Sequence, residues 1–293
     1  MSKSLPLGID IGATRLRVVW SELTSAGPRV RAVVTRDLSA GVATSGLIND
    51  CAYIGALLDE ARDELQSKER RCVLAVGEPE AVLRMVEFPK MTEIERQRAA
   101  VFEAQRYVAY AIDDAIVRIH PVDEKQNRYA IGVVRNATIK SRIAALKSGG
   151  LRVTAIDHEA LALARALPGY DAILDIGHER TNVHISISGT PLTLQIIAGG
   201  ATITRAIERE LSIDTNSAEK RKRILGTVGA GESARSTFLA DVTSLLESAS
   251  LRTDQLKRIA LVGNGARLNN FASDLERATG LLVETPVSKI LLG

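Results

Sequence analysis

The feature that most constrains this 293-residue chain is a pattern that occurs twice. An apolar, β-branched run ends in Asp-x-Gly, a short polar turn carries a Thr, and a second run then alternates polar and apolar residues. The first copy spans residues 5–20 around Gly12-Ala13-Thr14, and the second spans residues 172–188 around Gly177 and Thr181. Alternation with a period of two marks a half-buried strand, so each copy predicts an antiparallel hairpin. Glycine at the tip lets backbone N–H groups approach phosphate oxygens with no side chain between them, and the Asp before it is suited to ordering water around Mg²⁺. Asp10 and Asp175 therefore read as magnesium-side carboxylates. Two such hairpins facing one another would clamp a triphosphate, with Gly12, Ala13 and Thr14 on one side and Gly177 and Thr181 on the other.

The rest of the chain reads as an alternation of strands and helices. A helix is expected over residues 46–65 and a strand over 71–77. The run Thr92-Glu93-Ile94-Glu95 has the form of a capping box and predicts a helix to about residue 107. Strands over 115–120 and 129–134 and a helix over 139–147, closed by Gly149-Gly150, complete what looks like a compact β/α insert at 87–150. A strand over 153–157 and a helix over 158–166 lead to the second hairpin. The strand over 192–197 runs into Gly199-Gly200 and a helix from about Thr202. A last strand, 258–262, meets a third glycine turn, Gly263-Asn264-Gly265.

Composition removes several classes of function. With 45% hydrophobic and 25% charged residues the chain has the make-up of a soluble globular protein. Lys and Arg number 38 against 35 acidic residues, a formal charge of +3 that supplies no strong field for nucleic acid or anionic lipid. Cys51 and Cys72 share no C-x-x-C, which argues against a disulfide framework or a zinc site. No secretory signal and no membrane span are visible, so a cytoplasmic protein that reaches a membrane only through a partner is expected.

Four stretches carry a family resemblance: L-G-I-D-I-G-A-T at 7–14, D-I-G-H-E-R-T at 175–181, G-G-A-T-I-T-R-A-I at 199–207 and V-G-N-G-A-R-L at 262–268. They resemble the actin-like ATPase superfamily and, within it, the PilM family of type IV pilus assembly, relatives of FtsA. E-F-P-K-M at 87–91, F-E-A-Q-R-Y at 102–107, residues 149–163 and G-L-L-V-E at 280–284 are similar to PilM stretches as well. The resemblance implies a two-lobed actin-like α/β fold with a small β/α subdomain inserted in the first lobe. Residues 1–86 would form the first lobe with one phosphate hairpin, 87–150 the insert, 151–186 the returning first-lobe strand and second hairpin, and 187–293 the second lobe. It also implies ATP and Mg²⁺ in the cleft, with Gly199, Gly200, Gly263, Asn264 and Gly265 among the nucleotide-binding residues. Its implied partner is the N-terminal cytoplasmic peptide of a bitopic inner-membrane pilus protein such as PilN, held beside the insert, with further contacts to other pilus machinery.

Glu159 falls where actin-like ATPases place a residue near the attacking water; as sequence it reads equally as a helix N-terminal carboxylate. Asn264 interrupts the glycine turn, yet Asn tolerates a left-handed backbone. Asp241 is followed by Val242-Thr243-Ser244 where the family has an acidic and then a basic residue, which predicts a lost ribose or adenine contact. Glu219 to Arg223 reads as a solvated helix face, His178 as a surface turn residue, and 226–231 as a flexible turn without the Lys of a P-loop. Relatives ordinarily continue past residue 293, which implies a truncated or a reduced chain, and the apolar run 287–293, too short for an amphipathic anchor, reads as an unfinished strand or helix. The expectation is an ATP-binding adaptor of pilus biogenesis, at most a slow ATPase. Two alternatives stand beside it: an actin-fold phosphotransferase using Asp157 or Glu159 as base, and an actin-like component of a type II secretion platform.

Overall fold

The computed structural model describes residues 3–25, 27–44, 46–123, 125–187, 190–252 and 256–286. The expected terminal element at 287–293 lies outside them. Contacts divide the chain into two compact units, with Leu163 opening the second.

The first unit runs β1 (Lys3–Ser4), β2 (Leu7–Ile11), β3 (Arg15–Thr24), β4 (Gly27–Asp37), β5 (Ala43–Thr44), β6 (Leu47–Ile48), α1 (Cys51–Glu64), β7 (Arg71–Val76), β8 (Ala81–Glu87), α2 (Glu93–Ala104), β9 (Ala115–Asp123), β10 (Arg128–Arg135), α3 (Asn136–Ser148) and β11 (Arg152–His158), after which α4 (Glu159–Ala166) carries the chain onward. A six-stranded mixed sheet has the order β1-β3-β2-β7-β11, with β4 also on β3. The expected hairpin is β2 paired antiparallel with β3, and β7 lies parallel to β2 on its other side. Alternation does what it predicts: Leu7, Ile9 and Ile11 point into the core with Leu16 and Val18, and Ile54, Leu58 and Leu146 cover them from α1 and α3. Each such fully buried side chain stabilises by about 1.5–3 kcal/mol.

Helix α1 begins at Cys51, five residues later than its apolar spacing predicts. The Asp50 side chain accepts the Tyr53 N–H at 2.8 Å and caps the helix there, while Leu47 and Ile48 pair with β5 in a short hairpin. The capping box at Thr92 and Glu95 forms as expected. Strands β8, β10 and β9 make a separate three-stranded sheet in that order, so β8 and β9 are its edges. Val82, Val86, Ala100, Tyr129, Ile131 and Val133 form its core. The sheet therefore starts at Ala81, ahead of the insert boundary expected at residue 87. Helix α3 packs instead on α1: Ser148 Oγ donates to the Cys51 carbonyl at 2.6 Å, and Ile139 and Leu146 join the core of the six-stranded sheet.

The second unit contains β12 (Ala172–Ile176), β13 (Thr181–Ile187), β14 (Thr190–Ile196), α5 (Gly200–Leu211), α6 (Thr215–Leu225), α7 (Glu232–Ser250), β15 (Arg258–Val262), α8 (Phe271–Thr279) and β16 (Leu282–Glu284). Its sheet has the order β14-β13-β12-β15-β16. The internal repeat is now a repeat of topology: hairpin β12–β13 is antiparallel, and β15 flanks it in parallel as β7 flanks β2–β3. Leu174, Ile176 and Val183 are buried beneath Phe238 and Phe271, whose rings stack at 5.4 Å. Among the described residues no helix is long and apolar enough to cross a membrane.

Candidate functional site

The two Asp-x-Gly turns close in the same way. Gly12 N–H donates to the Arg15 carbonyl and Gly177 N–H to the Arg180 carbonyl, each at 2.9 Å. The glycine donor thus shapes the turn and is not available to a ligand. The next two N–H groups of each turn, on Ala13 and Thr14 and on His178 and Glu179, find no acceptor among the described residues. These are the donors an anion would meet.

In the first unit, Asp10 accepts from Arg17 Nη1 at 2.6 Å. A cavity of about 180 Å³ opens beside this turn, lined by Asp10, Gly12, Gly77, Glu80, Arg142 and Glu159 among others. Glu159, the first residue of α4, lies so close to Gly77 that a Cβ there would stand 2.1 Å from Glu159 Oε2. Its neighbour His158 accepts the Ala160 N–H on Nδ1 at 3.2 Å and meets the Ala81 carbonyl through Nε2 at 3.1 Å. Burial lowers the His158 pKa and keeps the ring neutral. Arg142 is a pocket residue that no sequence motif singles out. It projects from α3 into the interior at 7% exposure, and its Nη1 donates to the Gly46 carbonyl at 2.6 Å. A signal for it exists, because Ile139, Arg142 and Leu146 fall on one helical face and a cation among apolar positions is unusual.

In the second unit, Gly263 (φ +85°) passes directly over the second turn. A Cβ there would stand 2.3 Å from Asp175 Oδ1 and 2.4 Å from the Ile176 carbonyl. Gly265 makes a similar approach to the Ile176 side chain. Asn264 between them is right-handed (φ −71°), so the left-handed tolerance expected of it is not used. Thr181 is fully buried and its Oγ1 donates to the Ala198 carbonyl at 2.7 Å, which commits that hydroxyl proton to the fold. Gly199 and Gly200 bring the start of α5 against the turn: the Gly200 N–H donates to the Gly177 carbonyl at 3.0 Å and the Ala201 N–H to the His178 carbonyl at 2.8 Å. Both glycines serve close packing in this arrangement.

Behind α5 lies a polar knot where the charge pattern predicts a solvated face. Lys222 Nζ donates to the Gly200 carbonyl at 2.9 Å and to Thr204 Oγ1 at 2.8 Å, and Glu219 Oε2 lies 2.6 Å from the same ammonium. Burial acts to raise the Glu219 carboxyl, but hydrogen bonds from Lys222 and Thr204 outweigh it and hold the pKa at about 2. Arg223 adds a bond to Glu219 Oε1 at 3.0 Å. An acidic and basic set on a helix beside the turn therefore exists on α6, while Asp241 is exposed on α7. Ala218 and Lys222, four apart and both facing inward, are the legible sign.

The residues fit a magnesium nucleotide by their chemistry. Backbone donors stand at both turns, and a buried arginine lines the first-unit pocket. Among the described residues no cluster of three or more His, Cys, Asp or Glu is placed to hold a metal ion directly. Asp10 and Asp175 each stand two residues before the turn glycine, and a carboxylate of this kind can order the water shell of a phosphate-bound cation.

A family model described as type IV pilus assembly protein PilM matches residues 8–289. Among solved structures, a chain of the "PilM-PilN type IV pilus biogenesis complex" superposes with a TM-score of 0.83 at 26% identity, covering 96% of this chain and 87% of that one. The ethanolamine utilization protein EutJ from Carboxydothermus hydrogenoformans follows at 0.65 and 19% identity, covering 100% and 90% of the two chains. MreB5 of Spiroplasma citri, solved bound to ADP, gives 0.54 at 14% identity, covering 97% and 91%. The last two share the fold alone, and together the three place this α/β chain in the actin-like class. No curated protein matches in sequence.

Proposed function

The chain belongs to the type IV pilus assembly protein PilM family, and from that premise we propose that it is an ATP-binding cytoplasmic adaptor, joined to the inner membrane through a PilN-like partner. The observation that carries the nucleotide half is the paired closure of the Gly12 and Gly177 turns, with two N–H donors in each that meet no acceptor among the described residues. Asp10 and Asp175 stand at the magnesium side, Ala13 and Thr14 beside the phosphates, and Gly263, Asn264 and Gly265 on the adenosine side. Thr181, Gly199 and Gly200 hold the second turn in shape. Glu159 is the residue proposed to orient water, from its position in the pocket with Asp10.

The partner half rests on β9. As an edge of the three-stranded sheet it offers main-chain hydrogen bonds to an extended segment, and Arg118, His120 and Val122 are exposed along it. We therefore propose that a short cytoplasmic peptide of the membrane partner adds to this edge as a further strand. Calorimetric titration with the N-terminal peptide of a bitopic membrane protein encoded beside this chain tests the adaptor reading. Saturable binding at one peptide per chain supports it, and no binding at millimolar peptide removes it.

A further inference from the structure

We infer that Arg142 recognises the terminal phosphoryl group of the nucleotide, and is the residue by which the first unit tells a triphosphate from a diphosphate. The inference rests on the nucleotide reading above and assigns a further residue to it.

Arg142 is 7% exposed and lines the pocket that also holds Asp10, Gly12, Glu80 and Glu159. Its Nη1 is satisfied by the Gly46 carbonyl at 2.6 Å. Its Nε is buried without a hydrogen-bond partner. A buried charged donor without a partner destabilises a fold, and such groups are rare enough in native folds to require an explanation. Burial lowers the Arg142 pKa, and the charges of Glu80 and Asp10 act against that in favour of the cation. Among the described residues neither forms a hydrogen bond to it, and Asp10 is already bound by Arg17.

A purely structural role explains part of this arrangement. Arg142 ties down the loop at Gly46, where the backbone has φ +79° and a Cβ would strike the Glu80 side chain. That role needs one N–H, and it leaves both the charge and the buried Nε without a reason. A guanidinium presents five donors in a planar fork matched to phosphoryl oxygens. The signs in the pocket narrow the ligand further. A bare anion would face the carboxylates of Asp10, Glu80 and Glu159, and a bare cation would face Arg142. A phosphoryl group carrying magnesium meets both, with oxygens toward Arg142 and the cation's water shell toward the carboxylates. The pocket is lined by Gly12 and Ala13 as well as Arg142, so a phosphoryl group held at the Gly12 turn would lie within it.

The test is calorimetric titration of the full chain with Mg-ADP and with a magnesium-bound, non-hydrolysable ATP analogue, in the wild type, Arg142→Met and Arg142→Lys. The wild type is expected to bind the analogue at least about tenfold tighter than ADP. Arg142→Met should bring the two affinities within about twofold while leaving that for ADP nearly unchanged. Arg142→Lys keeps the charge without the fork and should lose at least about threefold of the discrimination; it decides the matter if Arg142→Met fails to fold by thermal unfolding. Discrimination retained in both variants, or equal loss for both nucleotides, overturns the assignment while leaving the nucleotide reading intact. A wild type that binds both nucleotides equally does the same. A wild type that binds neither overturns the nucleotide reading itself.

Discussion

Arg17 and Asp10 stand directly opposite one another across the β2–β3 pair, and Arg17 Nη1 donates to Asp10 Oδ2 at 2.6 Å. The carboxylate proposed to face magnesium is thus oriented by a cation on the neighbouring strand. Both side chains are about one-third exposed or more, so the pair adds little to stability, within about 1 kcal/mol. Its consequence is for the ligand. Asp10→Asn and Arg17→Met should each weaken Mg-ATP, and the double variant should lose no more than the worse single one, because the two act as a unit. Affinities of the four proteins in the cycle decide this, and additive losses would count against it.

Gly263 gives a test of the second turn that needs no ligand. Gly280 also has a positive φ, +70°, but a Cβ there meets nothing within 4 Å, whereas a Cβ on Gly263 meets Asp175 and Ile176. Gly280→Ala should therefore cost only the left-handed strain, about 1–2 kcal/mol. Gly263→Ala adds overpacking of about 1–3 kcal/mol. Urea unfolding of both variants checks the order.

The Glu219–Lys222 knot makes stability depend on pH with a definite sign. The folded Glu219 pKa of about 2 lies below the ordinary glutamate value of 4.5. Its contribution is therefore fully present above that ordinary value and is lost as pH falls from about 5 toward 2. With the side chain about a quarter exposed, the amount is on the order of 2 kcal/mol after allowance for solvent screening. Glu219→Gln should remove that pH dependence and lower stability at neutral pH, since it leaves Lys222 partly buried without its anion. Thermal melts of both proteins at pH 3, 5 and 7 supply the comparison.

If the partner peptide joins β9 as a strand, backbone amides over Ala115–Asp123 should exchange more slowly when it is bound. Those of β4, an edge of the other sheet, should not change. Hydrogen exchange with and without peptide reads this directly, and binding without protection at β9 would rule out strand addition.

Much of this architecture is legible in the residues themselves. The duplicated Asp-x-Gly hairpin, the third glycine turn and the capping box at Thr92 are local chemistry, and local chemistry decides them. Strand β4 leaves a weaker trace, because it lies at a sheet edge with only Val34 fully buried and its Arg side chains hide the alternation. Leu47 fits a helical face with Cys51, Ile54 and Leu58 by spacing, yet the Asp50 cap starts the helix after it. At the site, spacing brings out the turns but assigns too much to ligand contact. Thr181 and Gly200 use their donors within the protein, which only the return of the chain at Ala198 and α5 reveals. Arg142 and Lys222 depend on which way one helix face turns, and that is set by tertiary packing.

Nucleotide binding at the Gly12 and Gly177 turns is the proposal on which the others at this site depend. The most direct measurement is calorimetric titration of the full wild-type chain with ATP, with magnesium and with magnesium removed by chelation. Saturable binding at one nucleotide per chain is expected, with a Kd on the order of micromolar, weakened at least about tenfold without magnesium. Absence of any saturable heat up to millimolar Mg-ATP would contradict it.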